Sequence, residues 1–149
     1  MTIADSTPEW LRIAETQVGV KELPGKAQNK QIVAYHASTK LKATDDETPW
    51  CSAFVNWCVT KSGLKGTDSA AAISWLSWGQ EMKIPAHGCI VVMRRGDKPW
   101  QGHVGFYLGK NASGTKIQVL GGNQGDAVKV VEFPASKVLS YRWPIGHTK

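Results

Sequence analysis

The sequence predicts an α+β fold with helices first and an antiparallel sheet after them, and three features point to it. Apolar residues recur at helical spacing through the first half, to about residue 79. From Gly88 onward the period shortens to that of strands, in segments rich in β-branched and aromatic residues. The connections between those segments are brief, as antiparallel neighbours allow and parallel ones do not.

The elements follow in order. In "STPEWLRIAETQVGV", Ser6 or Thr7 is an N-cap and Pro8 sits in the first turn; Trp10, Leu11, Ile13, Ala14 and Val18 form the apolar face of a first helix. "VKELPGKAQ" is a loop by its Pro-Gly. "NKQIVAYHAS" is a short second helix capped by Asn29, with Ile32, Val33 and Tyr35 inward. After polar "LKATDDETP", a third helix opens with Thr48 as cap and Pro49 at its first position. Its apolar face is Ala53, Phe54, Trp57 and Cys58, and it ends near Ser62 before Gly63. "SAAAISWLSWG" is a further short helix. "CIVVMRR", "HVGFYLG", "KIQVLGG", "AVKVVEF" and "KVLSYRW" are the strands, about five in one sheet.

At 149 residues, with no repeat, low-complexity tract or linker-like stretch, residues 1–149 are read as one domain around one core. Apolar residues at 42% against 20% charged exclude wholesale disorder. No apolar run is long enough for a membrane span, and "MTIADSTPEW" has no secretory-signal character, so the expected site of synthesis is the cytoplasm. The net charge of +6 comes from scattered lysines and one local cluster, "MRRGDK"; it suits a polyanionic partner without naming one.

Three cysteines cannot all pair. Cys51 and Cys58 on one helix would have α-carbons about 10 Å apart, beyond disulfide reach. Cys51, Cys58, Cys89 and His103 also lack the close spacings of a zinc site, so no metal is expected. Cys51 is different from an ordinary buried thiol because of where it falls. In the first turn of a helix it lies among unpaired N–H groups at the positive end of the dipole, which favours thiolate. Those N–H groups would also stabilise an oxyanion. Of the four histidines, His36 ends a short helix among polar residues, His87 is in a turn and His147 in the tail. His103 opens a predicted strand, which holds an imidazole more firmly than a loop does. The next strand runs into Gly121-Gly122-Asn123-Gln124, where an amide can fix the imidazole's tautomer.

The order helix cysteine, strand histidine, strand asparagine, in "PWCSAFVNWC", "GHVGFYLG" and "VLGGNQGDAVKV", resembles the papain-like CHAP family (cysteine, histidine-dependent amidohydrolase/peptidase) and the related NlpC-like group. With "WLRIAETQVGVKELPG", "NKQIVAYH" and "SAAAISWLSWG", the likeness extends over most of the chain to small single-domain cell-wall hydrolases of phage-endolysin type. The resemblance implies a papain-like single catalytic domain that cleaves a peptidoglycan amide bond, either the N-acetylmuramoyl-L-alanine amide or a stem-peptide or cross-link bond. It implies Cys51 as nucleophile, His103 as base and then acid, and Asn123 as the orienting residue. There is one departure. Family members often carry a glutamate two residues before that asparagine, and here Gly121 stands there, which leaves the third role to Asn123 or Gln124.

Trp50, Trp100, Gln124 and Glu22 are candidates for contact with substrate, with core packing equally open for Trp50 and a solvated loop charge the alternative for Glu22. Trp10, Trp57, Trp75 and Trp78 read as core. No cofactor is expected. The expected partner is bacterial peptidoglycan, met by a monomer in the periplasm or wall after a holin or a secretion system lets it out, as a phage lysis protein or an exported toxin. Nucleic acid and stable membrane insertion are not expected. Two other readings remain: a cysteine hydrolase or acyl transferase acting on protein, and a non-enzymatic basic binding module. The lysines are not interleaved with aromatics along one strand face, which counts against the second.

Overall fold

The computed structural model describes residues 7–23, 29–39, 50–98 and 101–147. Three α-helices come first: α1 (Glu9–Glu15), α2 (Lys30–His36) and α3 (Cys51–Lys61). A 3₁₀ helix, Ala72–Ser77, follows, then six strands: β1 (Gln80–Met82), β2 (Ile90–Arg94), β3 (Gly102–Lys110), β4 (Lys116–Gly121), β5 (Lys129–Pro134) and β6 (Val138–Trp143). The strands form one antiparallel sheet in the order β1-β6-β2-β3-β4-β5. The α+β architecture and all five expected strands are present. The sixth strand, β1, is only three residues of "QEM", too short and polar to carry a strand period; it pairs with β6 through Gln80–Trp143, Glu81–Arg142 and Met82–Tyr141.

The helix starts are instructive. Asn29 caps α2 as expected, its side chain accepting from the N–H groups of Gln31 and Ile32. Pro8 stands at the cap position of α1 rather than inside its first turn. The expected caps Ser6 and Thr48, with Pro49, lie outside the described residues. "SAAAISWLSWG" winds as a 3₁₀ helix, bringing Trp75 fully inside. Its Nε1–H donates to Ser52 Oγ at 2.9 Å, and its ring meets the half-buried Trp78 edge-on at 5.0 Å.

Helix α3 lies on the middle of the sheet. Every residue from Cys51 to Asn56 is buried, and Phe54 meets Tyr35 of α2 edge-on at 5.1 Å and Phe106 of β3 at 6.3 Å. A large side chain buried this fully contributes about 1.5–3 kcal/mol. Strand β2 is buried at four consecutive positions, Ile90 to Met93, so both faces of the sheet's centre are covered. The corner after β4 comes in close: a side-chain Cβ at Gly122 would stand 2.7 Å from Trp50 and 2.8 Å from Phe54. That glycine lets the end of β4 reach the start of α3, and this sets where the site forms.

Candidate active site

Cys51 is the first residue of α3. The N-cap residue, Trp50, has φ −130° and ψ 19° and supplies no side-chain cap, so the first N–H groups of the helix are left for the site. His103 is the second residue of β3 and is buried, as is Cys51. The two side chains act directly on each other's charge, and the backbone N–H groups of Val104 and Ser52 also favour a negative sulfur. Burial disfavours the Cys51 thiolate. The hydrogen bond and charge of His103, helped by the two N–H groups, outweigh it, and the thiol lies below its ordinary value. The imidazole mirrors this. Burial disfavours its charged form, the bond and charge of Cys51 and the bond to Gln124 favour it, Arg95 opposes it, and the balance is upward. Both shifts favour the same pair, thiolate and imidazolium.

Behind the imidazole stands Gln124, whose Oε1 is 2.9 Å from His103 Nε2. Gln124 Nε2 donates to the carbonyls of Val119 at 3.1 Å and Lys129 at 2.6 Å. Carbonyls only accept, so the amide's NH₂ must face them and its oxygen must face the ring. His103 Nε2 is therefore the donor to Gln124, and Nδ1 is the nitrogen left for Cys51.

Asn123, expected first in this place, is not the residue against the ring. It is half-buried with φ +58°, a left-handed corner that ends the alternation of β4 and turns the next side chain inward instead. Gly121 completes the arrangement, because a Cβ there would stand 2.6 Å from Gln124 Oε1. The residue type that departs from the family pattern is what admits the amide. The sequence signal was present in "GGNQ": a small residue where an acid was expected, with an amide three positions on.

The other candidates fall differently. Trp50 is fully buried, lies near-parallel to Tyr35 at a 5.9 Å centroid separation, and donates its Nε1–H to Glu22 Oε2 at 2.9 Å. It is core, not groove wall, because α3 carries it inward as its cap residue. Glu22 is held beside it, with the 20–22 segment bonded to 126–128 through Glu22 N–H to Asp126 O at 2.9 Å and Val128 N–H to Val20 O at 2.8 Å. Trp100 lies outside the described residues. His87 and His147 are exposed, and His36 is buried at the end of α2, away from its expected polar setting. Among the described residues no group of histidines, cysteines and carboxylates could hold a metal ion.

Three residues that sequence reasoning missed shape the surroundings. Ser52 Oγ donates to Ser69 O at 2.7 Å, and Asn56 Nδ2 donates to the same carbonyl at 3.1 Å. Asn56 Oδ1 accepts from the N–H groups of Thr67 at 2.8 Å and Asp68 at 3.1 Å. These bonds tie the segment leading to Ala70, Ala71 and Ala72 onto α3, and the three alanines wall a recess of about 310 Å³ at Cys51. Arg95 lines that recess too, and also a second one, of about 310 Å³, at His103. No hydrophobic period marks such residues; their roles come from tertiary contact alone.

A buried thiol at a helix start, an imidazole on the adjoining strand and an amide behind it, on an α+β scaffold, have the chemistry of acyl transfer through a thioester. The family model of the CHAP domain matches residues 43–123, more than half of the chain, and the chain belongs to the CHAP domain family. With that membership comes the general activity, amidase or peptidase action on peptidoglycan. A search of curated proteins gives no match. The matched stretch contains Cys51 and His103 and stops one residue short of Gln124.

Proposed function

We propose that this protein hydrolyses an amide bond of bacterial peptidoglycan with Cys51 as nucleophile, His103 as acid and base, and Gln124 as the positioning residue. The Cys51 thiolate attacks the amide carbonyl, and α3-start N–H groups, including that of Cys51, steady the oxyanion. The C–N bond then breaks as the imidazolium gives its Nδ1 proton to the departing amine, leaving a thioester on Cys51. Water attacks the thioester with its proton passing to His103, and thiolate and carboxylic acid separate. Gln124 keeps Nε2 as a donor throughout, so that Nδ1 alone exchanges protons. The observation that carries this reading is the row Cys51–His103–Gln124, in which thiol and imidazole each favour the other's charged form and His103 Nε2 lies 2.9 Å from Gln124 Oε1.

The bond cut is the N-acetylmuramoyl-L-alanine amide or one within the stem peptide or cross-link. The protein acts in the periplasm or wall after a holin or secretion machine releases it, with its net charge of +6 favouring encounter with the anionic wall. The test is digestion of purified Gram-negative sacculi by wild type and by Cys51→Ala, read by mass spectrometry. Soluble fragments from the wild type alone support the reading, and their masses name the bond. Equal fragments from both proteins would discard Cys51 as nucleophile.

A further inference from the structure

The recess at His103 is cationic, and nothing in the chemistry of the row explains why. Arg94, Arg95 and Lys137 line it together with Phe133 and Asn123, and among the described residues no carboxylate is part of its lining. All three cations are exposed, and among the described residues none is ion-paired. Such a cluster does not help the protein hold its own site together. The Arg95 charge works against the imidazolium that Cys51 and Gln124 favour, and like charges this close to a buried cation are unfavourable. A cluster that opposes the resting state of the site fits a ligand that brings the missing negative charge.

The shape is specific about where that charge goes. Arg95 borders both recesses, so it stands beside the line along which a substrate crosses Cys51. On the Cys51 side the walls are Ala70, Ala71, Ala72, Gln101 and Gly102, and among the described residues Arg95 is the one charged side chain there. On the His103 side there are three cations and an aromatic floor, the Phe133 ring lying 5.4 Å from the imidazole. One side suits small, neutral groups and the other suits a carboxylate. Arginine is the side chain best built to hold a carboxylate, through two parallel N–H bonds.

We propose that the recess formed by Arg94, Arg95 and Lys137 is a carboxylate subsite, which binds a free acid of the stem peptide next to the scissile amide and makes the protein selective for stems whose carboxylates are not amidated. This rests on the peptidoglycan reading above and names the form of substrate that reading leaves open.

The experiment uses two soluble muramyl-peptide substrates that differ only in whether the second residue is isoglutamate or isoglutamine. The wild type should cleave the acid with kcat/KM about tenfold or more above the amide, the effect of one well-made charge-assisted bond. That ratio should fall to within about twofold of one in Arg94→Gln/Arg95→Gln/Lys137→Gln, and should shrink with rising salt. Equal cleavage of both substrates by the wild type, or a preference that survives the triple substitution, overturns the subsite. The single variant Lys137→Gln, which should lower the ratio in part, guards against a misfolded triple.

Cys51→Ala separates the two claims. If neither substrate is cut, titration of that variant with the two peptides, followed by nuclear magnetic resonance, still reads the subsite. Tighter binding of the acid, lost when Arg95→Gln is added, upholds the subsite while the hydrolase reading fails; indifferent binding overturns it.

Discussion

The first residue of helix α3 and the eighth carry the same functional group in opposite chemical states. Cys51 and Cys58 are both buried, seven residues apart on one helix, yet the first thiol is lowered and the second is raised well above its ordinary value. Burial pushes both the same way. Only at the helix start do free N–H groups and an imbedded imidazole reverse it; Cys58 has packed side chains around it and nothing to hold a negative charge. Cys89, off the helix, sides with Cys58 and is pushed up to about 12. The lesson is that burial does not make a cysteine inert. What decides is whether the burial brings donors with it.

The sharpest way to break this comparison is to truncate each thiol. Cys51→Ala should lower the rate of wall digestion by roughly 10⁴-fold or more, as loss of a nucleophile does. Cys58→Ala should keep the rate and cost about 1 kcal/mol of stability, seen as a shift in the urea midpoint. A large loss of rate from Cys58→Ala would mean that the two thiol positions on the helix are not independent.

The next largest effect belongs to the amide behind the imidazole. Gln124→Ala should reduce kcat by about 10²-fold, the size of a lost general-catalytic contribution. Gly121→Ala should do much the same at little cost in stability, because the atom its Cβ would meet is the movable end of Gln124. Paired measurements of kcat and thermal midpoint check both. A Gly121→Ala protein with full activity would remove Gln124 from the site.

A third test sharpens the contrast by pH. Cys51 should react with a small alkylating reagent at pH values below 9.0, where Cys58 and Cys89 stay protonated and silent. As pH falls through the lowered Cys51 value, the reaction should stop. His103→Ala removes the bond and charge that favour thiolate and leaves the burial, so the midpoint should move up in pH. Peptide mapping after timed alkylation reads all three cysteines at once.

The smallest effect is midway along the helix. Asn56→Ala should cost about 1–3 kcal/mol by leaving the Thr67 and Asp68 N–H groups without their acceptor. It should also loosen the alanine wall, raising KM more than it lowers kcat. A change in kcat alone would argue against that role.

Much of this was legible in the sequence. The strands announced themselves by β-branched runs, and Cys51 and His103 by their places at the starts of elements, since local pattern and position carry that information. Gln124 was harder. Strand alternation favours Asn123, and only the left-handed corner at that residue, which no period reveals, passes the contact to its neighbour. Trp50 stayed open between groove and core for a related reason: adjacency to a nucleophile in sequence suggests a groove, whereas the N-cap geometry turns the indole to Glu22. Arg95 and Asn56 carry no local mark at all, because their partners are brought in by the loops of the folded chain.

The room left by the missing side chain at Gly121 also constrains how this lineage can change. A glutamate there, the form the family resemblance expects, would enter space the Gln124 amide occupies. Removing Gln124 first would leave the imidazole unheld. Neither step is neutral alone, so the two arrangements are separated by a fitness valley that only a paired substitution crosses. Gly121→Glu with Gln124→Ala should work better than either single change, and positions 121 and 124 should exchange together among this protein's descendants.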